Sequence, residues 1–484
     1  MEVLYPSSFI SRTLALEAPG GAPVRLDIVI PTVLSPGTPF EIRLAALDEQ
    51  GYPSVEYEGS VQVLGAALVG VPPKVIFRRG TPAVAAIADA RLATGGCFRL
   101  SGELEGRPFV SNPCLCRPET DIAVFWGDPH VHTVLSRCHP EYCRSLNFCF
   151  AFARHGCGLD WVSAADHVSN GRCDLSKWKE QTATANQFND PPRFVTLPAY
   201  EASLQGGAGG DNNVYMTRFP DMFVDAYENG NVATLRDGLA ERMPPDDFII
   251  VPHHTTRTGK HGEISDSVYP GPEAMPVIEI HSKWGTSEYR GNPNPLRAVH
   301  DGPSYAADLL RRGLPLGFVA GTDTHATMAS GGGHEPATGN LRALPGFTAV
   351  QAGQLSRRSL LSAIKSRSCY ATSGERIALD VSIAGAGMGQ VVHRKKNAEP
   401  IGVLAFAAAK EHIERVEVIR NGETIETVQP DDWRGALAAS DQDDIRERAI
   451  DSPVLGRCVF YYVRVTCASG AQAWSSPVWI TVDA

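Results

Sequence analysis

Hydrophobic positions fall into three textures along the chain. Between residues 24 and 120 they come as short alternating or apolar runs such as VRLDIVI, FEIRLAALD and GSVQVLG, bounded by Pro and Gly. That is the pattern of half-buried strands, and its spacing suits a β-sandwich. From Asp121 the runs become apolar throughout: IAVFW (122–126), LDWVSAA (159–165), RFVTLPAY (193–200), NVYMTRF (213–219), FIIVP (248–252), PVIEI (276–280), LGFVAG (316–321) and FTAV (347–350). Amphipathic stretches lie between several of them, at 174–188, 233–243, 304–312 and 354–367. In the last, Leu355, Leu360, Leu361 and Ile364 recur at helical spacing. Strands alternating with helices predict parallel βα units, and seven or eight such units predict a closed or nearly closed barrel. From about Arg376 the β texture returns, with Asn421-Gly422 as a two-residue hairpin signal. The expected organisation is an N-terminal β-sandwich-like module (1–120), an α/β barrel (121–375) and a C-terminal β-rich module (376–484).

Composition narrows the class. At 484 residues the chain exceeds one ordinary domain. Its 43% hydrophobic and 20% charged residues exclude a disordered or coiled-coil protein. With 44 Lys plus Arg against 54 Asp plus Glu the net charge is −10, the wrong sign for a general nucleic-acid binder. No apolar run reaches the roughly 18 residues of a membrane span, so no membrane partner is expected. The opening MEVLYPSSFISRTLALEAPGG lacks a basic end followed by an unbroken apolar core. Eleven scattered cysteines form no C-x-x-C pair, which argues against a structural zinc ribbon. Free thiols in a cytoplasmic protein are the expectation.

Candidate chemistry follows the apolar runs. After IAVFW come Gly127-Asp128-Pro129-His130-Val131-His132, and after LDWVSAA come Asp166-His167. RFVTLPAY is followed by Glu201, FIIVP by His253-His254, and LGFVAG by Thr322-Asp323-Thr324-His325. Residues just past the strand ends of a βα barrel converge on one rim, so five strand ends are expected to deliver imidazole or carboxylate to one place. A lone His-x-His or Asp-His can be purely structural; fivefold repetition points to a metal centre. Such ligands suit Zn²⁺, Mn²⁺ or Fe²⁺, and their number exceeds what one ion accepts, so two or three divalent ions are expected.

The motif order GDPHVHTVLS, AADH, AYE, PHH and GTDTH resembles the PHP family, the polymerase and histidinol phosphatase metallohydrolases, and most of all its large uncharacterised branch. The resemblance covers roughly residues 121–480. It implies a distorted (βα)7 TIM-like barrel with up to three divalent metals and hydrolysis, most often of phosphate esters. On that resemblance His130, His132, His167, Glu201, His253, Asp323 and His325 match metal-ligand positions, with His254 competing with His253 and Glu201 bridging two metals. Related sequences usually carry an acidic residue or His a few positions after the His-x-His. Here Cys138 and His139 stand there, and neither is assigned. They also tend to carry His before the Asn-Val strand, where Asp211 offers an oxygen instead.

Around this ring, Asp128 is expected to orient an imidazole, and Asp166 and His281 are candidate acid/base groups. Arg257, Lys260, Lys283 and Arg290 are candidates to clamp an anionic substrate. The loop Ala329–His334 reads as a lid, and Trp178 and Trp284 as pocket walls or packing aromatics. The expected activity is metal-dependent hydrolysis of a small phosphate mono- or diester by water activated between metals. Alternatives are hydrolysis of a carboxylic ester, lactone or amide, and a non-catalytic metal-binding protein.

Overall fold

The computed structural model describes residues 2–118, 121–205, 207–257, 264–265, 267–296, 304–329, 344–394 and 400–482. The elements that build the centre are β1 (Ala123–Val131), β2 (Trp161–Ala164), β3 (Val195–Thr196), β4 (Ala199–Ser203), β5 (Asp211–Met216), β6 (Phe248–Pro252), β7 (Val277–Ser282), β8 (Gly317–Ala320), β9 (Gly346–Ala352) and β10 (Cys369–Ser373). Helices α1 (Leu175–Phe188), α3 (Ala306–Arg311) and α4 (Arg357–Lys365) fall inside three of the four amphipathic stretches, and α2 (Val232–Ala240) begins one residue before the fourth. Each of the longer ones begins where its cap permits: the side chains of Asp174, Asn231 and Ser356 accept from Lys177, Thr234 and Ser359 backbone N–H groups.

The closed (βα)7 barrel expected from the alternation is not what the chain forms. The molecule is mostly β, about 40% strand against 16% helix, divided among many small sheets. Among the described residues only three strand pairs of the central region's named sheets are parallel, β1–β2, β2–β3 and β7–β8. β4–β5–β6 form a wholly antiparallel sheet, and β9 pairs antiparallel with both β1 and β10. The physical reason lies in the connections. A parallel neighbour needs a crossover of a dozen or more residues, usually helical, whereas β4 and β5 are joined by residues 204–210 alone. Apolar periodicity locates strands but does not report their direction.

Short parallel bridges Val131–Thr324 and His167–Glu201 join neighbouring pieces where their ends meet. A twelve-stranded sheet runs β3–β2–β1–β9–β10 and then on through Gln472–Ser475, Gly456–Cys467, Ile413–Arg420 and Glu423–Val428. The hydrophobic core is shared in the same way: Trp126 meets Tyr370 edge-on at 5.6 Å, and Phe318 meets Tyr462 at 5.4 Å. At the N-terminal side, Arg25–Val29, Phe40–Leu47 and Val84–Leu92 form an antiparallel sheet. Arg43 reaches from it to Asp160 and the Gly158 carbonyl. No helix among the described residues is long and apolar enough to cross a membrane. All eleven cysteines are free.

Candidate metal centre

His130 and His132 sit one side-chain repeat apart at the end of β1, so their rings share a side. β1 lies against β8, which must approach closely: a Cβ on Gly321 would stand 2.6 Å from the His130 Cβ and 3.0 Å from Glu279 Oε2. Glycine is therefore required there. His167 follows β2, Glu201 lies within β4, Asp211 opens β5, His253 and His254 follow β6, and Asp323 and His325 follow β8. His254 and Asp323 hold left-handed backbone, φ 52° and 51°. Such conformations cost ~1–3 kcal/mol each and collect at functional sites.

The side chains converge. Glu201 Oε2 lies 3.1 Å from His167 Nδ1, 3.3 Å from His132 Nε2 and 3.7 Å from His130 Nε2, while its Oε1 is 3.4 Å from His253 Nε2. Asp323 Oδ1 stands 3.1 Å from His132 Nε2 and 3.4 Å from His130 Nε2, and its Oδ2 is 3.1 Å from His254 Nε2. The two Nε2 atoms of His130 and His132 are 3.2 Å apart. All of these residues are buried except His167, which is partly exposed.

The outer hydrogen bonds decide which nitrogens carry protons. His130 Nδ1 faces Glu279 Oε2 at 3.0 Å and donates to it. Ser136 Oγ must donate to the Asp166 carboxylate, 2.6 Å away, so its oxygen receives the His132 Nδ1–H at 2.9 Å. Both Nε2 atoms are therefore the ones turned into the cluster, and each offers a lone pair to a cation when its ring is neutral. They face each other and the carboxylate oxygens of Glu201 and Asp323, an arrangement that repels itself unless protons or a metal ion lie between. Glu201 Oε2 is buried and has no hydrogen-bond partner. The donors form four groups, each with ligand atoms within 4.8 Å of one another: His132, His167 and His325; His130, Glu201 and His253; His130, His132 and Asp323; Asp211, His253 and His254. These buried groups can hold a metal ion.

The same proximity sets the titration behaviour. Burial opposes ionisation of Glu201 and Asp323, but the surrounding imidazoles outweigh it and hold both carboxyls well below their usual range. Burial likewise disfavours charge on His130, yet Asp323, Glu279 and Glu201 keep it well above the ordinary imidazole value. His132 is lowered by burial and by His325.

A cavity of about 280 Å³ opens over this cluster, lined among others by His132, Cys138, His139, His167, Arg172, Glu201, Asp211, Arg257, Trp284, Asp323 and His325. Every described residue expected as a ligand thus comes to the site. Several others expected near it do different work. Asp166 is not placed to handle a substrate proton: its oxygens accept from Thr133 N, Thr133 Oγ1 and Ser136 Oγ, and it steadies His132 through Ser136. His281 is buried away from the cavity, with Nδ1 2.9 Å from Thr286 Oγ1, Nε2 3.0 Å from the Leu344 carbonyl, and its ring stacked on Trp474. It is a packing histidine, not a proton donor to a leaving group.

Asp128 accepts from the backbone N–H groups of His130 and Thr322 and from Thr322 Oγ1, so it ties β1 to the end of β8 and does not touch a ring. Burial pushes its carboxyl up to about 7. Trp178 packs against Tyr200, Phe219 and Phe223. Of the expected anion clamps, Arg257 lines the cavity, 6.0 Å over the Trp284 ring. Lys283 is buried and not at the cavity wall. Arg290 is exposed over Tyr305 and is likewise absent from that wall. Lys260 and the loop from Ser330 to His334 lie outside the described residues.

Sequence reasoning missed Glu279, Ser136 and Arg172. Glu279 lies inside a strand, in VIEIHS, where a lone carboxylate among apolar residues was the available signal. Arg172 and Ser136 carried none.

The fold and the ring of buried histidines and carboxylates thus define a β-rich protein with buried groups that could hold a metal ion. No family model matches the chain. An uncharacterised protein of Chlamydia pneumoniae is 28% identical over 388 residues, covering 78% of this chain and 60% of its own length. An uncharacterised protein of Chlamydia trachomatis is 27% identical over 403 residues, 80% of this chain and 62% of its own length. The chain spans about three fifths of the length of the curated relatives it matches. A crystal structure of Bacteroides uniformis β-glucuronidase aligns with a TM-score of 0.18 at 8% identity, covering 95% of this chain and 61% of that one. That value carries no inference.

Proposed function

We propose that the chain is a metal-dependent hydrolase of the kind its motif order resembles, acting on a phosphate mono- or diester of a small molecule. The observation that carries this reading is the buried meeting of the His130 and His132 Nε2 atoms with each other and with the Glu201 and Asp323 carboxylate oxygens at 3.1–3.7 Å. Two or three ions of Mn²⁺, Zn²⁺ or Fe²⁺ would activate water there and neutralise charge on the displaced oxygen.

The chain's own residues do the rest. Glu279 fixes the His130 ring, and the Asp166–Ser136 pair fixes the His132 ring, so that both present Nε2 to the same point. Glu201 spans from His167 to His253 and can bridge two cations. Arg172 and Arg257 at the cavity wall give an anionic ester two guanidinium partners. The cavity's size suits a small molecule, at the low end of ligand pockets.

The test is metal analysis of the purified chain beside assays on p-nitrophenyl phosphate, bis-p-nitrophenyl phosphate and p-nitrophenyl acetate. Two or more equivalents of Mn, Zn or Fe are expected, with phosphate-ester turnover abolished in His130→Ala and in Asp323→Ala. Chelation should abolish it reversibly. A metal-free active chain, or either variant retaining full turnover, would sink the reading. Turnover of the acetate alone would leave the centre and replace the substrate class.

A further inference from the structure

We infer that Cys138 is itself a ligand of this centre, a thiolate that completes the donor set of His167 and His325. The inference rests on the metal-centre reading above and adds a donor that neither the resemblance nor the histidine pattern assigns. His132, His167 and His325 offer nitrogens to one point. His132 Nε2, however, is already within 3.2 Å of His130 Nε2 and 3.1 Å of Asp323 Oδ1, and one lone pair serves one cation. That leaves the position nearest His167 and His325 with those two imidazoles and a Glu201 oxygen, 3.1 Å from His167 Nδ1, that it shares with its neighbours.

Cys138 supplies a further donor that no other position shares. It lines the same cavity, and its thiol is within hydrogen-bond reach of the His167 and His325 rings and of Cys143. The backbone brings it there by design of the preceding turn. Thr133 caps the short helical turn Val134–Ser136, and Arg137 then takes a left-handed φ of 54°, which reverses the chain. Asp166 clamps that turn through Thr133 and Ser136, so the carboxylate that steadies the His132 ring also sets the approach of Cys138.

His139 is the competing residue: it also lines the cavity and meets the His325 ring edge-on at 4.9 Å, but its ring stacks on Tyr142 at 5.0 Å and its Nδ1 faces Glu141 at 3.4 Å. Imidazole and thiolate donors occur together in catalytic zinc sites. Sulfur selects a softer ion than the oxygen-rich side formed by Glu201, Asp211 and Asp323. The centre is thus asymmetric, with Zn²⁺ favoured at the thiolate and harder ions tolerated at the carboxylates.

Cobalt replacement reads this without any substrate. The full chain, stripped by chelation and reloaded with Co²⁺, is expected to show a near-ultraviolet thiolate-to-cobalt charge-transfer band beside its visible d–d bands. Cys138→Ser should lose the charge-transfer band while keeping d–d absorption, and Cys143→Ser should keep both. Cys138→Asp, an oxygen donor in the same place, should lose the band yet hold the full cobalt stoichiometry. Circular dichroism confirms that each variant is folded. A band that survives Cys138→Ser, that disappears instead in Cys143→Ser, or that is absent from cobalt-loaded wild-type chain overturns the assignment alone. Failure of the wild-type chain to take up cobalt at all overturns the metal centre with it.

Discussion

A histidine's usefulness as a ligand is decided by what its other nitrogen touches. Glu279 and Ser136 engage Nδ1 of His130 and of His132, which leaves Nε2 of each turned into the cluster. His281, by contrast, has both nitrogens engaged by Thr286 and the Leu344 carbonyl. Burial lowers its pKa to about 4 from an ordinary 6.5, against smaller opposing effects from Leu344 and Glu279. In the folded chain it stays neutral where the unfolded chain would take up a proton. Its contribution to stability is therefore complete above pH 6.5 and is lost as pH falls towards 4, by about 3 kcal/mol in all. Urea unfolding of the wild type and of His281→Asn, each at about pH 7 and about pH 4.5, checks this. The variant should be less stable at neutral pH but lose less on acidification. An equal acid sensitivity in the two proteins would assign the effect elsewhere.

At the scale of elements, the segment that carries Trp284 to the cavity is anchored from behind. Glu288 accepts from Tyr462 Oη at 2.8 Å, Trp474 Nε1 at 2.7 Å and Arg464 at 2.8 Å, and Arg464 also binds Glu417 twice. All five residues are buried, so removing the cation strands two carboxylates. Arg464→Leu is expected to cost ~3–5 kcal/mol in denaturant unfolding. Replacing the charges together, Arg464→Leu with Glu288→Gln and Glu417→Gln, should recover most of that loss. A loss no smaller in the triple variant would mean that packing, not stranded charge, sets the cost. Other features at this scale were legible in the chain. The helices α1 to α4 match, to within a residue, stretches whose apolar spacing announced them, and the candidate ligands stand at or near the ends of apolar runs because a strand end is where a buried backbone can turn a polar group inward. Strand direction was not legible, although the run 193–200 contains Pro198, where it splits into β3 and β4, and the glycine-rich residues 205–210 are too few for a parallel crossover. Glu279 and the Glu288 network were hidden for a related reason: their partners are remote in sequence, and no local pattern reports a contact across 149 or 176 residues.

For the whole molecule, the question is whether the ligand-bearing region stands alone. Its strands do not end at residue 375. β10 pairs on one side with β9 and on the other with Gln472–Ser475, and Ser476 Oγ accepts the Phe318 N–H of β8 at 2.9 Å. Trp474 and Trp479 are fully buried in one cluster with Ile280, Phe318 and Tyr462. On the other flank Trp126 Nε1 donates to Thr32 Oγ1 at 2.7 Å. A chain ended after residue 375 would expose an unpaired sheet edge beside β10, a liability for aggregation. It would also strip two tryptophans from the core behind β8, each worth ~3–5 kcal/mol on truncation to alanine. Since β8 carries Asp323 and His325 to the cavity, loss of this backing should reach the metal centre. The full chain is expected to unfold in one cooperative transition, with metal release coincident. The 1–375 fragment should show no such transition and bind less than one equivalent of metal. Calorimetry with metal analysis on both chains decides it: a fragment with its own sharp transition and full metal content would show that the C-terminal strands are an appendage, and that the centre is built by residues before 375 alone.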